Sequence, residues 1–114
     1  IIFSERQAIN GTVGGNASDV TLTNNGTIYV TGRESTVNFT DNSNVTITNS
    51  GTIYRESGAT TTTGTAQSTI RLGSSSTLIN SGEIRNDASQ TLNAISLSGD
   101  GNTIILKIRV SSPV

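Results

Sequence analysis

The chain has 114 residues, of which 32% are hydrophobic and only 4% aromatic, enough for one small domain or a piece of an elongated one but thin for a compact sphere. Thr, Ser, Asn and Gly dominate the remainder and helix formers are scarce, a balance that favours strands with one polar face joined by many turns. A formal net charge of −1 offers no basic field for nucleic acid and no cationic helix for a membrane surface, and the absence of Cys and His removes disulfides, the usual metal ligands and the usual nucleophilic triads.

The opening IIFSERQ has no charged segment ahead of a long apolar run, and no stretch approaches the roughly 18–20 apolar residues of a membrane span. Membrane insertion by this segment is not expected, and it reads as a mature or excised piece. Ile9, Gly11 and Val13 alternate ahead of GGNAS, which reads as a strand and its turn. A repeat then begins. Thr21 to Tyr29 spells TLTNNGTIY, Thr46 to Tyr54 spells TITNSGTIY, and Thr77 to Arg85 spells TLINSGEIR.

The corner glycines of these copies, Gly26, Gly51 and Gly82, stand 25 and then 31 residues apart. Periods of roughly 20–30 residues built from short β-type segments predict a solenoid. Counting back in twos gives Asn24, Leu22 and Val20, then Asn49, Ile47 and Val45, then Asn80, Leu78 and Ser76. This is an inward face ending in Asn, while Thr21, Thr23, Thr46, Thr48 and Thr77 mark the outward face. Ile28, Ile53 and Ile84 begin a second strand on the same inward face. Val37 with Phe39, Ile70 with Leu72, and Ile95 with Leu97 supply a third.

Three short strands per repeat, joined by Gly, Asn or Ser turns, predict an all-β fold: a parallel β-helix solenoid of about four rungs, a single segment over residues 1–114. Equivalent strands would stack at ~4.8 Å, placing Leu22, Ile47 and Leu78 in one column and Ile28, Ile53 and Ile84 in another. Asn24, Asn49 and Asn80 are expected to form an inward structural ladder, each amide bonding its neighbours and corner backbone. The glycine two residues later would provide the permissive backbone of the corner. Tyr29 is expected above Tyr54 on the outer face, as a surface stack and the candidate surface contact.

The extra length of the middle repeat falls in SGATTTTGTAQ, Ser57 to Gln67, a predicted loop insertion at one corner. Further on, Ile104, Leu106, Ile108 and Val110 alternate with Lys107 and Arg109. This last strand reads either as a cap or as the point where a longer solenoid was cut.

The carboxylates Glu5, Asp19, Glu34, Asp41, Glu56, Glu83, Asp87 and Asp100 fall mostly at turns and make no cluster of the kind a calcium site or a polysaccharide lyase needs. Glu34 and Glu56 lie in matching GRES and YRES segments beside Arg33 and Arg55, which reads as a salt-linked, solvated corner. SGDGN at Ser98 to Asn102 occurs once, whereas a calcium solenoid repeats its Asp-Gly pattern, so it reads as a turn between Leu97 and Ile104. Asn-x-Ser/Thr matches at Asn10, Asn16, Asn25, Asn38 and Asn44 follow from composition. No catalytic, cofactor-binding or metal-ligating residue is expected, no cofactor is implied, and the chain does not read as an enzyme.

TITNSGTIY, TLINSGEI and NAISLSGDGNTIIL resemble the passenger regions of bacterial autotransporters, right-handed parallel β-helices that repeat NSGTI-like corners and a strand followed by SGxGNTxxL. The likeness runs from about Val20 to Leu106, and such motifs also occur in other secreted β-helices and phage tail proteins. The resemblance implies export to the extracellular side of the bacterial cell surface and a translocator β-barrel at the C-terminal end of the full polypeptide. It also implies an adhesive or scaffolding role, with a host or neighbouring-cell surface protein or glycan as partner. The chain departs from the full pattern in having no barrel-like run of membrane strands and too few rungs for a whole passenger. Two alternatives stand beside it: a self-assembling extracellular fibre subunit that associates end to end, and a carbohydrate-active β-helix such as a phage tailspike fragment.

Overall fold

The structure, a computed structural model, describes residues 1–4, 7–11, 19–31, 34–56, 68–87 and 94–106. The described residues contain twelve strands and no helix, and the chain visits three sheets in strict rotation. One sheet contains β1 (Ile2–Ser4), β4 (Thr27–Val30), β7 (Thr52–Arg55) and β10 (Glu83–Asn86). A second contains β2 (Ile9–Asn10), β5 (Val37–Ser43), β8 (Ile70–Ser74) and β11 (Ile95–Leu97). The third contains β3 (Thr21–Asn24), β6 (Thr46–Asn49), β9 (Thr77–Asn80) and β12 (Thr103–Leu106). All pairings are parallel. The result is a short parallel β-helix of about four rungs.

Period-two alternation turns one face of each strand toward the hollow. Leu22 pairs with Ile47 and Ile47 with Leu78; Ile28 pairs with Ile53 and Ile53 with Ile84; Val37 pairs with Ile70 and Ile70 with Ile95. The core is built from the middle rungs: Ile28, Val37, Phe39, Val45, Ile47, Ile53, Ile70, Leu72 and Leu78 are all buried. Each such side chain contributes about 1.5–3 kcal/mol through removal from water, and the stacking makes a column of aliphatics continuous from rung to rung. The same register carries the pattern to both ends of the stack. Ile2 pairs with Ile28 and Ile9 with Val37, while Ile104 pairs with Leu78 and Leu106 with Asn80. Val13, the Ser57–Gln67 insertion and Lys107 to Val110 lie outside the described residues.

Two-residue corners, Asn25–Gly26, Ser50–Gly51 and Ser81–Gly82, join the third sheet to the first. At the second and third of these corners the glycine serves close approach, which corrects the expectation of permissive backbone there. A Cβ on Gly51 would stand 2.0 Å from the Gly26 carbonyl oxygen, and one on Gly82 would stand 2.1 Å from that of Gly51. The left-handed backbone sits at a different corner. Asp19, Asn44, Ser75 and Gly101 have φ of 60°, 55°, 54° and 76°. One of them falls two residues ahead of each third-sheet strand, so they form a column of their own. Asn, Asp and Gly tolerate this conformation best, and Asn44 Nδ2 donates to Asp19 Oδ1 within the column. SGDGN is this turn in the last rung, with Asn102 Nδ2 donating to Gly99 O at 2.8 Å and Asn102 Oδ1 accepting from Ser76 N at 2.9 Å.

A β-bulge interrupts the second sheet, where the β5–β8 register shifts between Phe39 and Ser43. The bulged strand passes so close to Gly73 that a Cβ there would lie 2.0 Å from the Asn42 carbonyl oxygen.

Register also overturns the reading of Arg55 as part of a solvated corner. Arg55 pairs with Val30 on one side and Asn86 on the other and is fully buried. Because Ile53 points inward, so must the residue two positions later. GRES and YRES match in letters, but the register partner of Arg55 is Val30; Arg33 lies outside the described residues. Burial pushes the Arg55 guanidinium below its ordinary pKa.

Candidate functional site

The β3, β6 and β9 strands end in the asparagine ladder. Asn24 Nδ2 donates to Asn49 Oδ1 at 2.8 Å, and Asn49 Nδ2 donates to Asn80 Oδ1 at 2.8 Å. The same amides reach the carbonyls of their own corner glycines, Gly26, Gly51 and Gly82, at 3.1, 3.2 and 3.2 Å. Asn24 and Asn49 also reach Thr52 O and Glu83 O in the following rung at 3.3 and 3.2 Å. Asn49 is fully buried and Asn80 half-buried. Leu106 occupies the next ladder position and cannot continue it.

A second inward polar column was not anticipated from the sequence. Thr36 and Thr69, both fully buried, donate from Oγ1 to Tyr54 O at 2.9 Å and Arg85 O at 2.8 Å. They tie the end of one rung's first-sheet strand to the entry of a second-sheet strand. The signal was present as STVNF and STIRL, with Ala8 and Ala94 at the matching positions of the outer rungs.

On the outer face of the first sheet, Phe3, Tyr29, Tyr54 and Arg85 form one column by register. The Phe3 and Tyr29 rings are 5.0 Å apart at 38°, those of Tyr29 and Tyr54 are 5.0 Å apart at 4°, and the Arg85 guanidinium carbon lies 4.3 Å over the Tyr54 ring. Arg85 is gripped from both sides of its own strand, by Asp87 at 2.6 Å and by Glu83. These bonds, the one to Asp87 foremost and the one to Glu83 next, raise its pKa further above neutrality. Each tyrosine is covered on both ring faces by its column neighbours. A ligand approaching Tyr29 or Tyr54 therefore meets ring edges, and sugar stacking on an open ring face is not available there.

Beside this column, the NSG corners leave a groove of about 310 Å³ lined by Ser50, Gly51, Thr52, Ser81, Gly82 and Glu83. Its chemistry is hydroxyl and carboxylate, suited to hydrogen-bonding a polar ligand. The third sheet presents a different outer surface: Thr21, Thr46, Thr77 and Thr103 form one column, and Thr23, Thr48, Ile79 and Ile105 another. That face carries no charge. Among the described residues no group of three or more His, Cys, Asp or Glu side chains is placed to hold a metal ion.

The fold places the chain in the class of parallel β-helices. Compared with family models, curated proteins and solved structures, it matches none.

Proposed function

We propose that the chain is a structural or adhesive segment of a secreted, cell-surface β-helical protein of the autotransporter-passenger type. The observation that carries this reading is the parallel rung-on-rung stacking of all three sheets. Inward positions are spent mainly on aliphatic and Asn or Thr columns, while the aromatic column and the hydroxyl-lined groove face outward for contact. The partner that suits the groove is a hydroxyl-rich glycan or a polar protein surface. The test is binding of the immobilised chain to a glycan panel and to cells, with Glu83→Gln and Ser81→Ala as groove variants. Specific binding weakened by these variants supports adhesion. Depolymerisation of any polysaccharide would move the chain to the carbohydrate-active class instead.

A second reading, an extracellular fibre subunit, is favoured by where the exposed large apolar residues lie. Ile1, Ile2 and Phe3 are at one end of the stack, and Leu97, Ile104, Ile105 and Leu106 are at the other. Head-to-tail stacking of chains 1–114 would pair both sets of strand edges and propagate as a filament. Sedimentation across a concentration range tests this, and a strictly monomeric chain at high concentration contradicts it.

A further inference from the structure

We propose that the Asn25–Gly26 corner is a site of spontaneous intramolecular modification, in which the Asn25 carboxamide is converted through a cyclic imide to aspartate and isoaspartate, and that Ser50 accelerates it. The inference goes beyond the adhesive reading and does not depend on it.

The chain contains two Asn-Gly pairs, Asn10–Gly11 and Asn25–Gly26. Glycine matters because a nitrogen without a neighbouring Cβ can approach the asparagine Cγ. The two pairs sit in opposite environments. Gly11 N donates to Asn38 O at 2.9 Å as part of the sheet pairing, and Gly11 O accepts from Asn42 Nδ2 at 2.9 Å. A Cβ at Gly11 would lie 2.3 Å from the Phe39 ring. That peptide cannot turn without disrupting strand pairing and packing.

At the other pair Asn25 is exposed, and no atom lies within 4 Å of where a Gly26 Cβ would stand. Gly26 N makes only a long bond of 3.3 Å, to the Asn24 side chain, and the Asn25 carbonyl accepts none from any described residue. Gly26 O is held by Thr52 N at 2.8 Å and Asn24 Nδ2 at 3.1 Å, but the peptide between Asn25 and Gly26 takes no part in strand pairing, and its N–H has only the long bond to Asn24 to give up.

Ser50, one rung away, adds the activating contact. Its Oγ–H donates to Asn25 Oδ1 at 2.6 Å, which polarises the carboxamide carbon and stabilises the oxyanion that forms when nitrogen attacks. In the reaction Gly26 N gives its proton to solvent base and bonds to Asn25 Cγ. The Cγ–Nδ2 bond breaks and Nδ2 leaves as ammonia, closing the imide. Water then opens the ring at Cγ to give aspartate, or at the backbone carbonyl carbon to give isoaspartate. The net change is one water consumed and one ammonia released, with no redox step. The matching corner residues of the later rungs are Ser50 and Ser81, which have no carboxamide, so the change is confined to one rung. Isoaspartate would lengthen the main chain between Asn24 and Gly26, where the ladder meets the first sheet.

The test is incubation of the folded 1–114 chain at mildly alkaline pH in heavy-oxygen water. Peptide mapping by mass spectrometry and methyl labelling by an isoaspartyl methyltransferase would follow. Conversion at Asn25 several-fold faster than at Asn10 is expected, together with its slowing in Ser50→Ala and its loss in Asn25→Ser, a variant that carries the residue used at the next two corners. The unfolded chain should convert at both pairs. Equal rates at the two pairs in the folded chain, or no conversion at Asn25 while the unfolded chain converts, would overturn the site. An unchanged rate in Ser50→Ala would overturn the role given to Ser50.

Discussion

Asn24 Nδ2 donates to Asn49 Oδ1 at 2.8 Å, so two residues 25 positions apart share one hydrogen bond across adjacent turns. Asn49 repeats the act toward Asn80, and as the middle member it is the one with ladder partners on both sides. Asn49→Ala should therefore destabilise the chain by about 1–3 kcal/mol, the cost of leaving buried groups unsatisfied. Thr46→Ala, on the outward face of the same strand, should cost clearly less. Urea unfolding of the two variants checks the order, and a costlier Thr46 would reverse the inward and outward assignment.

The corner glycines make a second paired prediction. Gly51→Ala would push a Cβ to 2.0 Å from the Gly26 carbonyl oxygen, which belongs to backbone and cannot swing away, whereas Gly26→Ala meets nothing within 4 Å. Thermal melts should show a loss of about 1–3 kcal/mol for Gly51→Ala, the usual cost of overpacking, and a much smaller change for Gly26→Ala. Similar losses at both positions would mean that backbone conformation, and not rung-to-rung contact, selects glycine here.

Arg85 caps the aromatic column from a half-buried position. Arg85→Ala should lower stability by no more than about 1 kcal/mol, because solvent screens its bonds to Asp87 and Glu83 and its contact with Tyr54. The loss should shrink in high salt. A large, salt-independent loss would show that the column is a structural spine and not a surface feature.

The Ser57–Gln67 insertion is flanked by strands in register, β7 on β4 and β8 on β5. Replacing ATTTTGT with a two-residue turn should leave the β-sheet circular dichroism signal intact, since loop length carries only a weak entropic cost. Collapse of that signal would make the insertion part of the fold.

The period-two alternation and the recurring NSG corner made the three strands of each repeat, their inward faces and the Asn ladder legible in the sequence, because stacked positions must resemble one another. Arg55 was not legible in the same way. GRES and YRES look equivalent as strings, and only the count from Ile53 shows that Arg55 faces inward. The left-handed column escaped because Asp19, Asn44, Ser75 and Gly101 share a backbone conformation and not a side-chain type. The bulge near Asn42 left no trace in the repeat, since it depends on how β5 passes Gly73. The outward stack of Tyr29 on Tyr54 was readable from register, and Arg85 ends the third copy, TLINSGEIR, at the same position, so its place over Tyr54 was open to the same count; only Phe3 lies in a strand that the three copies did not delimit.

The claim on which all of this rests is parallel stacking in one register, and paired cysteines test it most directly because the chain has none of its own. Thr46 and Thr77 are register partners, so their Cα atoms stand about one strand spacing, ~4.8 Å, apart, inside the range a disulfide spans. Thr46 and Ile79 are out of register, and the same spacings put them about 8 Å apart, beyond that range. Under mild oxidation the Thr46→Cys/Thr77→Cys chain should close an intramolecular disulfide readily, while Thr46→Cys/Ile79→Cys should remain reduced. Preferential closure of the second pair would contradict the register, and with it the columns, the ladder and the solenoid.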